Sequence, residues 1–353
     1  MSFRTKTAVV ILNWNGLHFL ERFLPGLLAD TGGAEDVLVA VADNGSTDGS
    51  VEWLKATCPE AALIEFDRNY GFTGGYNRAL RTIEAQYYVL LNSDVEVTEN
   101  WLVPLVDYMD AHPEVAACAP AILSFANRGE FEYAGAAGGF IDLFGYPFCR
   151  GRILNHIERD NGQYDDCERI FWASGAALMA RADLFRRAGG LDEDFFAHME
   201  EIDLCWRLQL MGYEIRSVPA SKVYHVGGGA LPVNSPQKLY LNYRNNLMMM
   251  LKNMDGRRQA IIFARLLLDG AAALRYLVRG EFSYFRAVFR AHLGFWRAVP
   301  ACRRKRREFA RLRGGGTDMP VYRGSIVFKY FAVRGKIRFS DLDGRRFRGR
   351  RIF

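Results

Sequence analysis

TAVVILNWNG, Thr7 to Gly16, decides the fold: an unbroken apolar and β-branched run is halted by Trp14-Asn15-Gly16. A strand with no polar alternation is buried on both faces, which places it centrally in a parallel sheet. Working outward, a helix is expected over Leu17–Leu28, a strand over Val37–Ala42, a helix over Gly49–Ala56 and a strand over Ala62–Phe66. A helix over Thr73–Glu84 and a strand over Tyr87–Leu91 follow. This alternation predicts βαβ units and an open, doubly wound α/β sheet, whose ligands sit outside the carboxyl ends of the strands. Three polar clusters fall at those ends: Asn13-Trp14-Asn15, Asp43-Asn44-Gly45-Ser46 and Asn92-Ser93-Asp94.

Beyond Pro120 the alternation weakens, and residues 124–168 read as a variable insertion or an acceptor-side excursion. Order returns with Ile170–Ala180, helices over Arg181–Ala188 and Glu201–Met211, and short strands near Ile215–Val218 and Lys222–His225. From Gln237 to about Arg313 the pattern is helical; residues 314–353 are rich in Gly and Arg with little periodicity.

Each cluster has a chemistry. Asp94, at a strand end, can hold a divalent cation that bridges two phosphates, since hard cations take carboxylate and phosphate oxygens. Asp43 can accept the ring N–H of a pyrimidine. Asn69 to Asn77 (NYGFTGGYN) puts Gly74 and Gly75 before a helix, where backbone N–H groups can approach a diphosphate. It lacks both the Rossmann glycine spacing and the Walker lysine. Glu200, Glu201 and Asp203 crowd the first turn of a helix, where one of them can act as general base on an acceptor hydroxyl; position alone does not choose among them. His225 ends a strand before Gly227-Gly228-Gly229.

Together these motifs resemble family 2 inverting glycosyltransferases of the GT-A fold, in particular the bacterial surface-polysaccharide and rhamnosyltransferase-like branch, over about residues 7–255. The resemblance implies that Asp43 binds the nucleotide base in a pocket lined by Asn13 and Asn15. It implies that Asn69, Gly74, Gly75 and Asn77 lie near the nucleotide sugar, with Asn92 and Ser93. Asp94 and His225 are implied as ligands to Mn²⁺ or Mg²⁺, Asn92 standing where the family's first Asp is usual. The base falls on Glu201 or Glu200, and Trp172-Ala173-Ser174-Gly175-Ala176 lines the donor and acceptor pockets. Arg244, in Tyr243-Arg244-Asn245-Asn246, would steady the leaving diphosphate. The implied donor is dTDP-rhamnose or a UDP-hexose, and the acceptor a lipid-linked or growing glycan. Two other classes compete: a sugar nucleotidyltransferase, which would carry a basic Gly-rich loop after the first strand, and a non-catalytic nucleotide-sugar binder.

Charge divides the chain. Residues 1–256 hold 21 Lys+Arg against 34 Asp+Glu, whereas residues 257–353 hold 25 against 6. The expected division is a glycosyltransferase domain over 1–255 and a basic, mainly helical extension over 256–353. Apolar runs interleaved with arginines, none long enough to span a bilayer, suit an interfacial helix on an anionic membrane. Nucleic acid is the competing partner for such a tail and is not expected, because nothing in the acidic body reads as a nucleic-acid module. Six cysteines without CxxC spacing predict buried thiols in a reducing compartment. With no signal segment recognised, the expected location is the cytoplasm, peripheral on the inner face of a bacterial membrane. The oligomeric state is left open.

Overall fold

The computed structural model describes residues 3–31, 36–227, 235–314 and 318–347. The first half runs β1 (Phe3–Asn13), α1 (Leu17–Thr31), β2 (Val37–Asp43), α2 (Ser50–Thr57), β3 (Ala62–Glu65), α3 (Gly71–Arg81), β4 (Ile83–Asn92), β5 (Val95–Val97), α4 (Val103–Ala111) and β6 (Val115–Ser124). Short strands follow: β7 (Gly139–Asp142), β8 (Pro147–Cys149), β9 (Arg152–Ile153), β10 (His156–Ile157) and β11 (Arg169–Ile170). Then come β12 (Ala177–Arg181), α5 (Ala182–Arg187), α6 (Glu200–Leu210), β13 (Glu214–His225), α7 (Pro236–Asn253), α8 (Arg258–Val278), α9 (Phe282–Phe309), β14 (Val321–Tyr322) and α10 (Ile326–Ala332).

The main sheet has the order β11-β13-β6-β12-β4-β1-β2-β3, with β5 added against β13. As the sequence predicts, β1 is central, and β3, β2, β1 and β4 run parallel. Alternate residues of β1 feed opposite cores, Ala8 and Val10 on one face and Val9 and Ile11 on the other. The register pairs Asn13 with Asp43 and Leu12 with Asn92, so all three polar clusters lie side by side on one sheet edge.

Three details differ from expectation. The helix expected to reach Glu84 stops at Arg81, because Ile83 and Glu84 already pair with Phe3 and Arg4 of β1. The sheet is mixed: β12 lies antiparallel between β4 and β6. The stretch 124–168 is an excursion with its own order, a five-stranded sheet β10-β9-β8-β7-β14. Its last strand comes from the C-terminal segment, where Val321 and Tyr322 pair with Ile141 and Asp142. The buried Asp142 carboxylate fastens this junction, accepting from the backbone N–H groups of Phe144, Tyr146 and Ile326, each at 2.9 Å. Five cysteines are buried free thiols, but Cys167 is exposed, against the expectation of uniform burial. No described helix is long and apolar enough to cross a membrane.

Candidate active site

At the β1 and β2 ends, Asp43 is buried and accepts from the Ser46 N–H (2.9 Å) and from the Asn13 amide (3.0 Å). A carboxylate offers about four acceptor positions, so these two bonds leave capacity for a ligand N–H. The Asn13 side-chain oxygen is buried without a hydrogen-bond partner, and a Cβ at Gly16 would lie 2.6 Å from it. Asn15 adopts a left-handed backbone (φ 51°) and caps the neighbouring turn, accepting from the Thr47 N–H at 2.8 Å. Trp14 leaves half its surface exposed at this rim.

The segment Asn69–Asn77 corrects the sequence reading. Its glycines are not an open phosphate loop but the first turns of α3, and each serves close packing. A Cβ on Gly75 would come within 2.5 Å of Leu12, and one on Gly74 within 3.1 Å of the Tyr70 Cβ. Gly71 has φ 73° and faces the Phe196 ring. Asn69 accepts from the Asn44 amide (3.0 Å) and the Gly71 N–H (2.7 Å). Asn77 both donates to and accepts from the Leu191 backbone, at 2.8 and 3.0 Å. These residues hold the walls of the site and spend their polar groups doing so.

The cation candidates do meet. Pairing of His225 with Val95 across β13 and β5, together with the Val226 N–H on the Asp94 carbonyl (3.0 Å), sets the two side chains together. His225 Nε2 lies 3.1 Å from Asp94 Oδ1 and 3.5 Å from the Asn92 amide nitrogen. On the other side of the ring, Nδ1 lies 3.5 Å from Glu132 Oε2. Burial disfavours charge on this imidazole, but Asp94 and Glu132 outweigh it and push the pKa up to about 10. A carboxylate behind an imidazole orients the ring and raises its basicity toward a metal. One carboxylate oxygen and one imidazole nitrogen, backed in this way, fit a divalent cation that takes its other ligands from phosphate and water. Glu132 was not anticipated, since it sits in the aperiodic stretch and nothing in its neighbours marks it.

The carboxylates of α6 separate cleanly. Asp203 is buried and bonded to Arg207 (2.8 Å), Lys252 (3.0 Å) and Asn253 (2.7 Å). That commitment removes it from the base role. Asp203→Ala is expected to cost about 3–5 kcal/mol of stability by stranding buried cations, seen as a lower urea midpoint at unchanged slope. Glu200 is buried with one oxygen unpartnered, and burial followed by the neighbouring Glu201 holds its pKa well above the usual range. Glu201 is half-buried, also with an oxygen unpartnered, and burial pushes it up to about 7 against the lowering backbone N–H groups of the helix start.

These two groups stand on the same edge as Asp94. The Asn92 N–H donates to the Ala176 carbonyl (3.0 Å), and next to Ala176 a Cβ on Gly175 would meet the Glu201 Cβ at 3.7 Å. The buried Tyr76 hydroxyl donates to the Leu91 carbonyl (3.0 Å); burial raises its pKa, and the charges of Asp94 and Glu200 both add to the rise. Trp172 and Ser174 are anchored on the Phe140 carbonyl (3.0 Å) and the Ala134 carbonyl, and the Ala134 N–H donates to Glu132.

The loop that delivers α6 is strained. Phe196, His198 and Met199 have φ of 65°, 69° and 72°, a conformation side-chain-bearing residues adopt only when held. Asn245 holds them, donating its amide to the carbonyls of Phe195 (3.0 Å), Ala197 (2.8 Å) and His198 (2.8 Å). Arg244 donates to the carbonyls of Asp194 (3.0 Å) and Phe195 (3.1 Å). The resemblance implies Arg244 at the leaving diphosphate; in the structure its guanidinium donates to the loop that leads into α6. The two glycines expected to follow Gly227, Gly228 and Gly229, lie outside the described residues.

Residues 8–186 match Glycosyl transferase family 2. Among curated proteins the chain is 26% identical over 285 residues to N-acetylglucosaminyl-diphospho-decaprenol L-rhamnosyltransferase of Mycobacterium tuberculosis, covering 76% of this chain and 90% of that one. It is 24% identical to rhamnosyltransferase WbbL of Escherichia coli K12, covering 62% and 82%. Among solved structures it resembles the mannosyltransferase PcManGT of Pyrobaculum calidifontis, in complex with GDP-Man and Mn²⁺, with TM-score 0.52, 16% identity and coverage of 83% and 88%. It also resembles GalNAc-T7 with UDP, GalNAc and Mn²⁺, with TM-score 0.53 and 16% identity over 70% of this chain and 48% of that one. Because the family match takes in half of the chain, including β1, β2 and β4 with their polar ends, and the fold is shared with those enzymes, this protein belongs to glycosyl transferase family 2 and is a GT-A glycosyltransferase.

Proposed function

We propose that the protein transfers a sugar from a nucleoside-diphosphate donor, with inversion, to a lipid-linked or growing glycan acceptor in cell-surface polysaccharide synthesis. The donor is taken as dTDP-rhamnose, in keeping with the rhamnosyltransferase relatives, or otherwise a UDP-hexose. One observation carries the reading: a buried carboxylate–imidazole pair, Asp94 and His225, shares a sheet edge with Glu201, a carboxylate that keeps one oxygen without a partner and whose pKa is raised to about 7.

In this reading Asp43, Asn13 and Asn15 receive the nucleotide base, and Asn92 and Ser93 flank the diphosphate. Asp94 and His225 hold a divalent cation, Mn²⁺ or Mg²⁺, which when bound neutralises charge developing on the diphosphate. Glu201 takes the proton of the acceptor hydroxyl, whose oxygen attacks the anomeric carbon from the side opposite the leaving group. The anomeric C–O bond to the diphosphate breaks, its electron pair leaves with the nucleoside diphosphate, and the proton stays on Glu201. Residues 1–255 carry this chemistry, and the basic extension 256–353 keeps the enzyme against the cytoplasmic face of the membrane, where a lipid-linked acceptor resides.

The test is a thermal-shift screen of dTDP- and UDP-sugars with and without Mn²⁺. A ligand at a hundred times its Kd stabilises the native state by about 2.7 kcal/mol, a rise of several degrees in Tm. One nucleotide class should give that rise only with the cation. If no nucleotide sugar moves Tm under either condition, the donor assignment is lost.

A further inference from the structure

Helix α8 buries charge beside Ile262 and Ala273 and exposes large apolar side chains. Its inward face carries an ion pair: Arg265 Nε lies 2.8 Å from Asp269 Oδ1, both side chains are buried, and Arg265 also donates to Asn246 (2.6 Å) and the Phe144 carbonyl (3.0 Å). Its outward face carries Phe263, Leu267, Leu274 and Val278, spaced on one side of the helix and 38 to 86% exposed together with Leu277. A helix bathed by water places these classes the other way round.

The stripe continues beyond α8. A short turn after Val278 leads into α9, whose outward side presents Phe289, Leu293 and Trp296. Arg275 of α8 stands 6.0 Å from the ring of Phe331 in α10, bringing the exposed Phe328 and Phe331 alongside. Among the exposed side chains of these helices stand Arg275, Arg279, Arg286, Arg290 and Arg297, which border the apolar surface with positive charge. Two of them, Arg286 and Arg290, line a cavity of about 260 Å³ between α7 and α9 with Tyr240, Gln237 and Ser283.

We propose that α8, α9 and α10 form one docking surface for an anionic bilayer, the apolar stripe entering the acyl boundary while Arg286 and Arg290 take lipid phosphate. This deepens the membrane-facing part of the proposed function and rests on it for its purpose. The charge border selects lipid over a second copy of this chain, because two such rims brought face to face repel, whereas an anionic headgroup layer neutralises them. An apolar stripe of aromatic and aliphatic side chains flanked by arginines is the composition of interfacial helices. The surface includes α10, from the stretch of least sequence periodicity.

The test uses the full chain, without substrates, in co-sedimentation with phosphatidylglycerol/phosphatidylcholine vesicles and with pure phosphatidylcholine vesicles. Wild type should partition to the anionic vesicles, and Leu267→Asp/Val278→Asp should lower that partition at least about ten-fold. Arg286→Gln/Arg290→Gln should lower the preference for phosphatidylglycerol, and an unchanged preference removes these two arginines from the surface. Equal partition of wild type and the apolar double variant overturns the proposal, as does a lipid-free wild-type dimer that the double variant dissolves. Thermal shifts by nucleotide sugars should be the same in wild type and both variants, so loss of docking and failure of the donor reading register separately.

Discussion

Asp94→Asn should lose at least about a thousand-fold in transfer rate while keeping the fold. The substitution preserves the shape of the side chain and an oxygen that can accept from His225, so packing at the β4 end is retained. What it removes is the anionic ligand. Changing a group behind a metal ligand typically costs 10- to 100-fold in metal affinity or activity, and changing the ligand itself costs more. Glu132→Gln, which alters only the group behind His225 Nδ1, should therefore fall in that smaller range. The graded pair is read from initial rates across a Mn²⁺ titration, with near-ultraviolet circular dichroism as the check on folding. Wild-type turnover by Asp94→Asn at saturating cation removes Asp94 from the mechanism; an unchanged Mn²⁺ dependence in Glu132→Gln removes the orienting role of that carboxylate.

The parallel half of the sheet was readable from Thr7–Gly16 because a strand buried on both faces has no polar positions, and its neighbours repeat the pattern at helix-length intervals. The polar strand ends were readable for the same reason: Asn13, Asp43 and Asn92 each terminate such a run, and the parallel register puts them together. Strand β12 was not, since five residues carry no mark of direction, and its antiparallel insertion depends on β4 and β6 from far away in sequence. The small sheet escaped notice because its strands are two to four residues long. Among the site residues, spacing could nominate Glu200, Glu201 and Asp203 together, but only the partners brought by α7, Lys252 and Asn253, separate a structural carboxylate from two that each keep an oxygen without a partner. Arg244 and the glycines of α3 show the converse: residue types suited to phosphate are here occupied by backbone carbonyls and by close packing.

That occupation has a mechanistic sense. The carboxylates of α6 begin just after three left-handed, side-chain-bearing residues, and such backbone relaxes unless it is tied down. The ties come from α7, through Arg244 and Asn245, and from α9, through Lys305 on Asp192 (2.5 Å) and Asp194 (2.6 Å). The basic extension thus contributes directly to the position of the base, and a general base displaced by about 1 Å loses much of its advantage.

Glu201→Gln is the second large effect expected. Amide replacement keeps size and hydrogen bonding but abolishes proton acceptance, and general bases contribute about 10²- to 10⁴-fold. The loss should fall on kcat, with KM for the donor little changed, because Glu201 meets the acceptor hydroxyl rather than the nucleotide. Its pH profile supplies an independent reading. Burial raises the pKa of Glu201 to about 7, and the base works only when deprotonated, so wild-type kcat should fall as pH drops through neutrality instead of near 4.5. Glu200 and Glu201 repel each other's charge, so the limb reports the pair sharing a proton. Glu200, whose pKa is held well above the usual range, keeps its proton while Glu201 titrates, so Glu200→Gln should leave the limb near neutrality with a modest loss of rate, whereas Glu201→Gln should abolish the limb with the activity. If Glu200→Gln proves the deeper loss and Glu201→Gln merely shifts the limb, the two residues exchange roles; a flat profile in wild type would show that neither carboxylate takes the proton.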